Sequence, residues 1–441
     1  MRRFFLALLL CATFASQAWA GCFPSFPSFG RWQDGCGTEW WNDSSLTFYA
    51  PFDDPNDPLR LIKGTGSLSF TRATTATYVP VNSTTGYIET APFGTLRITE
   101  WGALIEGQRT NLALQSEDLG TTWMNTASSK TTNSDTAPDG MVTADRVVSD
   151  NSASTQHFIT QAISGLIDNT VYTYSVYLKA GSGTYSGWAR VNVVPKSGTL
   201  TYAYVDLSNC TTGSTNNLVS SSISTSYDSW CRVSITGNIS NGATSPDIRV
   251  YLAEGNGDIT FSGDNTSYIS VWGAQVEAAS FPSSYIPTTT AAVTRNADVL
   301  SFSNAGNFYN AAGTVNATFD INQTFVSWSV LYPDPAEFIG DAASGKFYAY
   351  DGTNLKTIGT VSTGETIYKS AVTWTTSDNT MKLAKDGSVS TTGPFDGSWG
   401  VTGTTYIGSR VGTSRHLFGH VKNIRFWNRG FGDDELVKIT Q

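Results

Sequence analysis

Histidine is scarce in this chain, with three in 441 residues, and no histidine stands near a partner that would make it a catalyst. His157 follows Gln156 in a predicted strand and reads as a satisfied strand histidine. His416 and His420 lie four apart in HLFGHV, without the cysteine or third ligand a zinc site needs. No G-x-S-x-G, no G-x-x-x-x-G-K-[ST] and no G-x-G-x-x-G in a strand–helix setting occurs. These gaps exclude the common nucleophilic triads, P-loop phosphate sites and dinucleotide folds. Charge is also sparse: 14% of residues are charged and the formal net charge is -9, so no nucleic-acid footprint is expected. After the first twenty residues no apolar run is long enough to span a bilayer. Heptads and internal repeats are lacking too.

What remains is rich in Gly, Ser, Thr and aromatics and poor in helix formers. This composition predicts an all-β chain of sandwiches closed by tight turns. A length of 441 residues allows two or three domains.

The first twenty residues read as a secretory signal peptide. Arg2 and Arg3 form the basic end, Phe4–Phe14 the apolar core, and Ala18-Trp19-Ala20 the small-x-small cleavage site before Gly21. Its removal leaves Cys22, Cys36, Cys210 and Cys231, an even count in an exported chain. Pairing by proximity gives Cys22–Cys36 and Cys210–Cys231. A lipoprotein would instead acylate Cys22, but Trp19 fits that signal poorly and Cys36 would lose its local partner.

Residues 21–60, with FPSFPSFGRW and EWW, have no period and read as an aromatic-rich arm. Residues 61–116 carry short strands, a preamble expected to pack on the next domain. Residues 117–298 carry eight alternating segments: Thr143–Val148, His157–Ile163, Val171–Lys179, Gly187–Val194, Leu200–Asp206, Cys231–Gly237, Ile248–Leu252 and Tyr268–Glu277. They predict a two-sheet jelly roll, with Tyr172, Tyr174, Val176 and Leu178 on a core face. From Phe281 a Pro/Ser/Thr-rich strap must cross a surface, because such a run cannot sit inside a sheet. Residues 299–441 read as a second series of strands. Asp386-Gly387 forms a tight turn and Asp433 is placed to cap a short final helix.

Four motifs in order carry a resemblance. They are WGALIEGQRTNLALQSEDL (Trp101–Leu119), PDGMVTADRVV (Pro138–Val148), YTYSVYLKAGSG (Tyr172–Gly183) and WGAQVEAASFPSSYIPTTTAAVTRNADV (Trp272–Val299). Together they resemble a domain of bacteriophage tail and head-spike proteins, and SLSFTRATTATYV ahead of them resembles that family's preamble. The resemblance implies a virion or surface β-sandwich of the carbohydrate-binding kind, a non-enzymatic structural role, other virion proteins as partners, and commonly a homotrimer. The signal peptide departs from that pattern and leaves open a secreted bacterial glycan-binding protein built from the same modules. Downstream, YKSAVTWTTSDNTMKLAKDGSV and GHVKNIRFWNRGFGDDELVKI resemble a laminin-G or concanavalin A-like lectin sandwich. Glycosidases on that fold carry E-x-D-x-x-E, which residues 299–441 lack. Glu337 and Glu365 stand alone, so a polysaccharide hydrolase is not expected.

Sugars are held by aromatic rings against their C–H faces and by polar groups on their hydroxyls. Tyr185, Trp188, Arg190, Tyr202 and Tyr204 are the candidate glycan-binding residues, with Tyr251 a further aromatic. Tyr202 and Tyr204 share a strand face, as do Trp188 and Arg190. Arg232 is another donor of the same type. Trp374 and Trp427 lie in core-like strands and read as structural. Asn256, Asp258, Asp264 and Asn265 are oxygen donors of the type calcium takes, in turns before Tyr268.

Overall fold

The computed structural model describes residues 40–441 except 196–198, 239–245, 322–326, 334–335, 342–344, 361–363, 397–398 and 400–402. The signal peptide, most of the arm, and Cys22 with Cys36 lie outside the described residues. The chain divides into a unit through Leu46 and a unit Thr47–Gln441, and the account below concerns the second. Among the described residues it is all-β, with one α-helix, Asp433–Thr440, at its end. No helix among the described residues is long and apolar enough to cross a membrane.

Two six-stranded antiparallel sheets form the middle sandwich. One, here the strap sheet, has the order Ser220–Thr225, Cys231–Asn238, Val171–Ala180, Tyr268–Glu277, Ala144–Ser149 and Ser128–Asp135. The other, the aromatic sheet, has the order Thr211–Asn216, Thr201–Asp206, Trp188–Val194, Asp247–Ala253, Phe158–Ala162 and Met124–Thr126. All eight expected segments are strands, and Tyr268–Glu277 has the expected bounds. Alternation sets which side chains meet. Tyr172, Tyr174, Val176 and Leu178 are buried against Val191, Val193, Ala203, Val205 and Val250 from the facing sheet. Four further strands sit at the sheet edges and are dominated by Ser, Thr and Asn. Both faces of these strands are largely wet, so they lack an apolar alternation to announce them.

Cys210 and Cys231 are bonded, with Cα atoms 5.4 Å apart and a sequence separation of 21. The bridge ties the turn before Thr211–Asn216 to the first residue of Cys231–Asn238, and so links the two sheets. A loop of this length stabilises by about 3 kcal/mol through the unfolded chain. The double substitution Cys210→Ser, Cys231→Ser is expected to lower unfolding free energy by that order in urea titrations.

The last sandwich is discontinuous in sequence. Its seven-stranded sheet runs Ser69–Thr71, Val299–Ser303, Thr404–Ile407, Trp328–Pro333, Glu337–Asp341, Phe347–Tyr350 and Leu355–Ile358. Its eight-stranded partner includes Thr380–Lys385, Gly364–Thr375, Ala312–Ile321, Gly419–Trp427, Gly102–Ile105 and Arg97–Thr99. The preamble therefore gives strands to the last sandwich, where the sequence suggested only packing on the middle one. The cause is apolar: Phe70, Ile98, Ala103 and Ile105 join Val315, Phe319 and Phe426 in one core. Trp374 and Trp427 are buried, as their strand pattern required. Asp386 and Gly387 both take positive φ, the geometry a two-residue hairpin turn demands. Asp433 does not cap the helix. The cap position is Gly432, whose N–H donates to Glu435 (3.0 Å), while Asp433 sits in the first turn beside Lys382.

The strap crosses the outer face of the strap sheet, as its composition required. Tyr285 packs 4.6 Å from the Trp272 ring, and Arg232 donates to the Ser283 carbonyl (2.8 Å). Beneath it lies a buried ionic network. Asp298 takes Arg72 at 2.9 Å and Arg97 at 2.6 Å, while Glu106 takes Arg97 at 2.8 Å and Arg295 at 2.9 Å. The Ser284 hydroxyl also donates to Glu106. The network joins preamble, strap and the start of the last sandwich. It ties the strap to the preamble and the last sandwich, and the aromatic sheet's outer face is free of the strap.

Candidate functional site

Register builds a site on that outer face. In Trp188–Val194, the side chains of Trp188, Arg190 and Asn192 point away from the core, since Ala189, Val191 and Val193 fill it. Arg190 lies opposite Tyr204 on one neighbouring strand and Tyr251 on the other, and Asn192 lies opposite Tyr202 and Arg249. Phe158 continues the middle row beyond Tyr251. The result is a guanidinium inside an aromatic cluster. Arg190 sits 4.7 Å from the Tyr202 ring centre, 4.5 Å from that of Tyr251 and 5.6 Å from that of Tyr204.

The charges on this face are unequal in their compensation. Arg249 is held by Asp247 (2.7 Å) and donates to the Tyr251 hydroxyl (3.1 Å). Among the described residues Arg190 has no carboxylate partner, and its one polar contact is with the Tyr204 hydroxyl at 3.5 Å. Asn192 is fully buried, and neither its amide nitrogen nor its oxygen has a hydrogen-bond partner among the described residues. A buried amide left so costs about 1–3 kcal/mol. Trp188 and Tyr202 are half-buried at the edge of this cluster. The face thus offers two partly open rings and one uncompensated cation, with the unsatisfied amide closed beneath them.

Four of the five expected glycan residues meet here. Tyr185 does not. It stacks on Phe261 at 4.0 Å against the core of the sandwich, because it lies in the turn before the strand and alternation does not govern it. Arg232 faces the other sheet's outer side, under the strap. Phe158, Asn192, Asp247 and Arg249 belong to the face but were not singled out in the sequence. Asn192 has the same parity as Trp188 and Arg190, which was the available signal.

No protein-family model matches the sequence, and no curated protein matches it. Some solved structures overlap it slightly. The CBM40 of Ruminococcus gnavus IT-sialidase, bound to α2,3-sialyllactose, is 15% identical, with 30% of this chain and 83% of that one covered at a TM-score of 0.26. A candidate carbohydrate-binding protein from Bacteroides ovatus is 11% identical over 66% of this chain and 80% of that one, at 0.25. The Trypanosoma rangeli sialidase in complex with sialic acid is 12% identical over 67% and 60%, at 0.23. Overlaps this slight carry no argument about this chain.

The calcium candidates lie in two turns. Asn256 and Asp258 belong to one turn, where Asn256 accepts from the Ser214 N–H and Asp258 from the Thr260 N–H. Asp264 and Asn265 belong to another, where Asp264 accepts from the N–H groups of Thr266 and Ser267 and from the Ser267 hydroxyl. These oxygens hold turns. Among the described residues no group of three His, Cys, Asp or Glu side chains could hold a metal ion. The histidines are likewise separated. His157 is buried between the carbonyls of Ala127 and Phe261, His420 Nδ1 lies 2.8 Å from Asp320, and His416 packs near Phe418.

Among the described residues Glu337 is the one carboxylate with a strongly raised pKa, pushed up to about 7 by burial against the opposing pull of Tyr348 and Arg415. Tyr348 donates to it, and Arg415 lies 2.8 Å away. In the unfolded chain such a group titrates near 4.5. Between those values the folded chain holds more protons, so stability falls as pH rises from about 4.5 to about 7. Glu337→Gln is expected to remove that part of the slope, read by urea unfolding at pH 5 and pH 8.

Proposed function

We propose that the middle sandwich binds a carbohydrate on the outer face of its aromatic sheet without cleaving it, within an exported glycan-binding protein. The observation that carries this reading is the pairing of two half-buried rings, Trp188 and Tyr202, with Arg190, a guanidinium that has no carboxylate partner among the described residues, on one face. A sugar supplies what the face lacks: C–H surface for Trp188 and Tyr202, and hydroxyls for Arg190. The bordering carboxylates support binding over hydrolysis, since Asp247 is tied to Arg249 and Asp206 to the turn at Ser208 and Asn209. Jelly-roll and concanavalin-type assignments for the two sandwiches belong to this reading.

The test is a glycan array probed with the whole mature chain, followed by mass analysis of any bound glycan after incubation. Saturable binding of an intact saccharide is expected. An empty array from folded protein, or a shortened product, would overturn the proposal.

A second reading is favoured by one observation. Arg72, Glu106, Arg295 and Asp298, all within the phage-like preamble and motifs, form the buried ionic network together with Arg97. That supports a rigid modular appendage of a phage particle, with other virion proteins or further copies of the chain as partners. Purified particles and spent medium from the native source discriminate. Stoichiometric recovery in particles supports the appendage, and recovery in medium alone supports the secreted protein.

A further inference from the structure

A second concavity lies far from the aromatic sheet's outer face, where the preamble, the strap sheet and the last sandwich meet. Its volume is about 630 Å³, within the range of small-ligand sites. Tyr78, Trp101, Tyr177 and Tyr285 contribute rings, and Arg232 contributes a cation.

Trp101 is the informative residue. It occupies the two-residue turn between Arg97–Thr99 and Gly102–Ile105 and is 47% exposed. Packing does not explain an indole there. The turn itself is held firmly: Gly102 has φ +116°, and a Cβ at that position would lie 2.4 Å from the Val421 carbonyl. The hairpin therefore presents Trp101 to the cavity from a fixed base.

Arg232 supplies the second observation. It lies over the Tyr177 ring at 5.3 Å and donates to the Ser283 carbonyl. Its Nε is buried with no partner, and among the described residues it has no carboxylate within ion-pair distance. The neighbouring arginines Arg72, Arg97 and Arg295 are all neutralised by carboxylates. The other ionisable groups at the cavity are accounted for: His420 is joined to Asp320, and Glu100 is exposed at the turn tip.

We propose that this cavity is a separate binding site for an acidic saccharide of about two sugar units, its ring against Trp101 and its carboxylate on Arg232. The site is independent of the aromatic-sheet face.

The experiment titrates the whole mature chain with disaccharides of galacturonate, glucuronate and mannuronate, and with their methyl esters. At least one free acid is expected to bind more tightly than its ester. Trp101→Ala should weaken that binding about tenfold or more, a loss of about 1.4 kcal/mol. Arg232→Met should erase the preference for acid over ester, and Arg232→Lys, which keeps the charge, should retain part of it. Trp188→Ala, on the other face, should leave the effects of Trp101→Ala and Arg232→Met in place. The proposal is overturned if no acid binds, if binding ignores both Trp101→Ala and Arg232→Met, or if Trp188→Ala abolishes it.

Discussion

Asp298→Asn is expected to destabilise the chain by about 3–5 kcal/mol, the effect of removing one partner from a buried ion pair. Asp298 is fully buried, receives two guanidiniums, and also accepts the Glu106 N–H at 2.9 Å. Replacing it leaves Arg72 and Arg97 with less negative charge in a site closed to water. Urea unfolding at neutral pH measures the loss, and a change below about 1 kcal/mol would contradict the role given to the network. Acid should act on the same place. Burial alone would raise the Glu106 pKa, but Arg295 and Arg97, with the Ser284 bonds, hold it well below the usual carboxylate range. Its contribution is complete above the unfolded value near 4.5 and is lost as pH falls toward the folded one. The wild-type chain should therefore lose stability steeply below about pH 4.5, more so than Glu106→Gln, whose deficit is already present at pH 7.

On the aromatic sheet, Trp188→Ala and Tyr202→Ala are each expected to weaken glycan binding about tenfold, since a ring contact is worth about 0.5–1.5 kcal/mol beyond its buried area. Arg190→Met should cost at least as much, because it removes the uncompensated cation while keeping most of the apolar stem. These side chains share contacts, so their effects will not simply add. Titration of each variant with the saccharide selected on the array reads the loss, with an unchanged unfolding midpoint for the two ring variants. Full affinity in all three would place the glycan elsewhere.

Much of the middle sandwich was legible because its alternation is unbroken. Tyr268–Glu277 and the Tyr172-to-Leu178 face follow from a period of two, and a one-residue slip would turn every ring outward. The edge strands were not legible, since a run such as SSKTTNSD at Ser128–Asp135 has no apolar face to betray it. Nor could local pattern show where Gly102–Ile105 pairs. The strand itself is readable, but its partner Gly419–Trp427 lies about three hundred residues away. The site was half legible. Parity placed Trp188 with Arg190 and Tyr202 with Tyr204, but only register across strands brings those pairs together with Tyr251 and Phe158. Tyr185 misled because a turn residue has no parity.

The most direct measurement is a crystal of the full mature chain soaked with the saccharide the array selects. The account predicts a sugar ring over Trp188 and Tyr202, with hydroxyls at hydrogen-bond distance from Arg190. A saccharide ordered elsewhere on the chain, with that face bare, would contradict it.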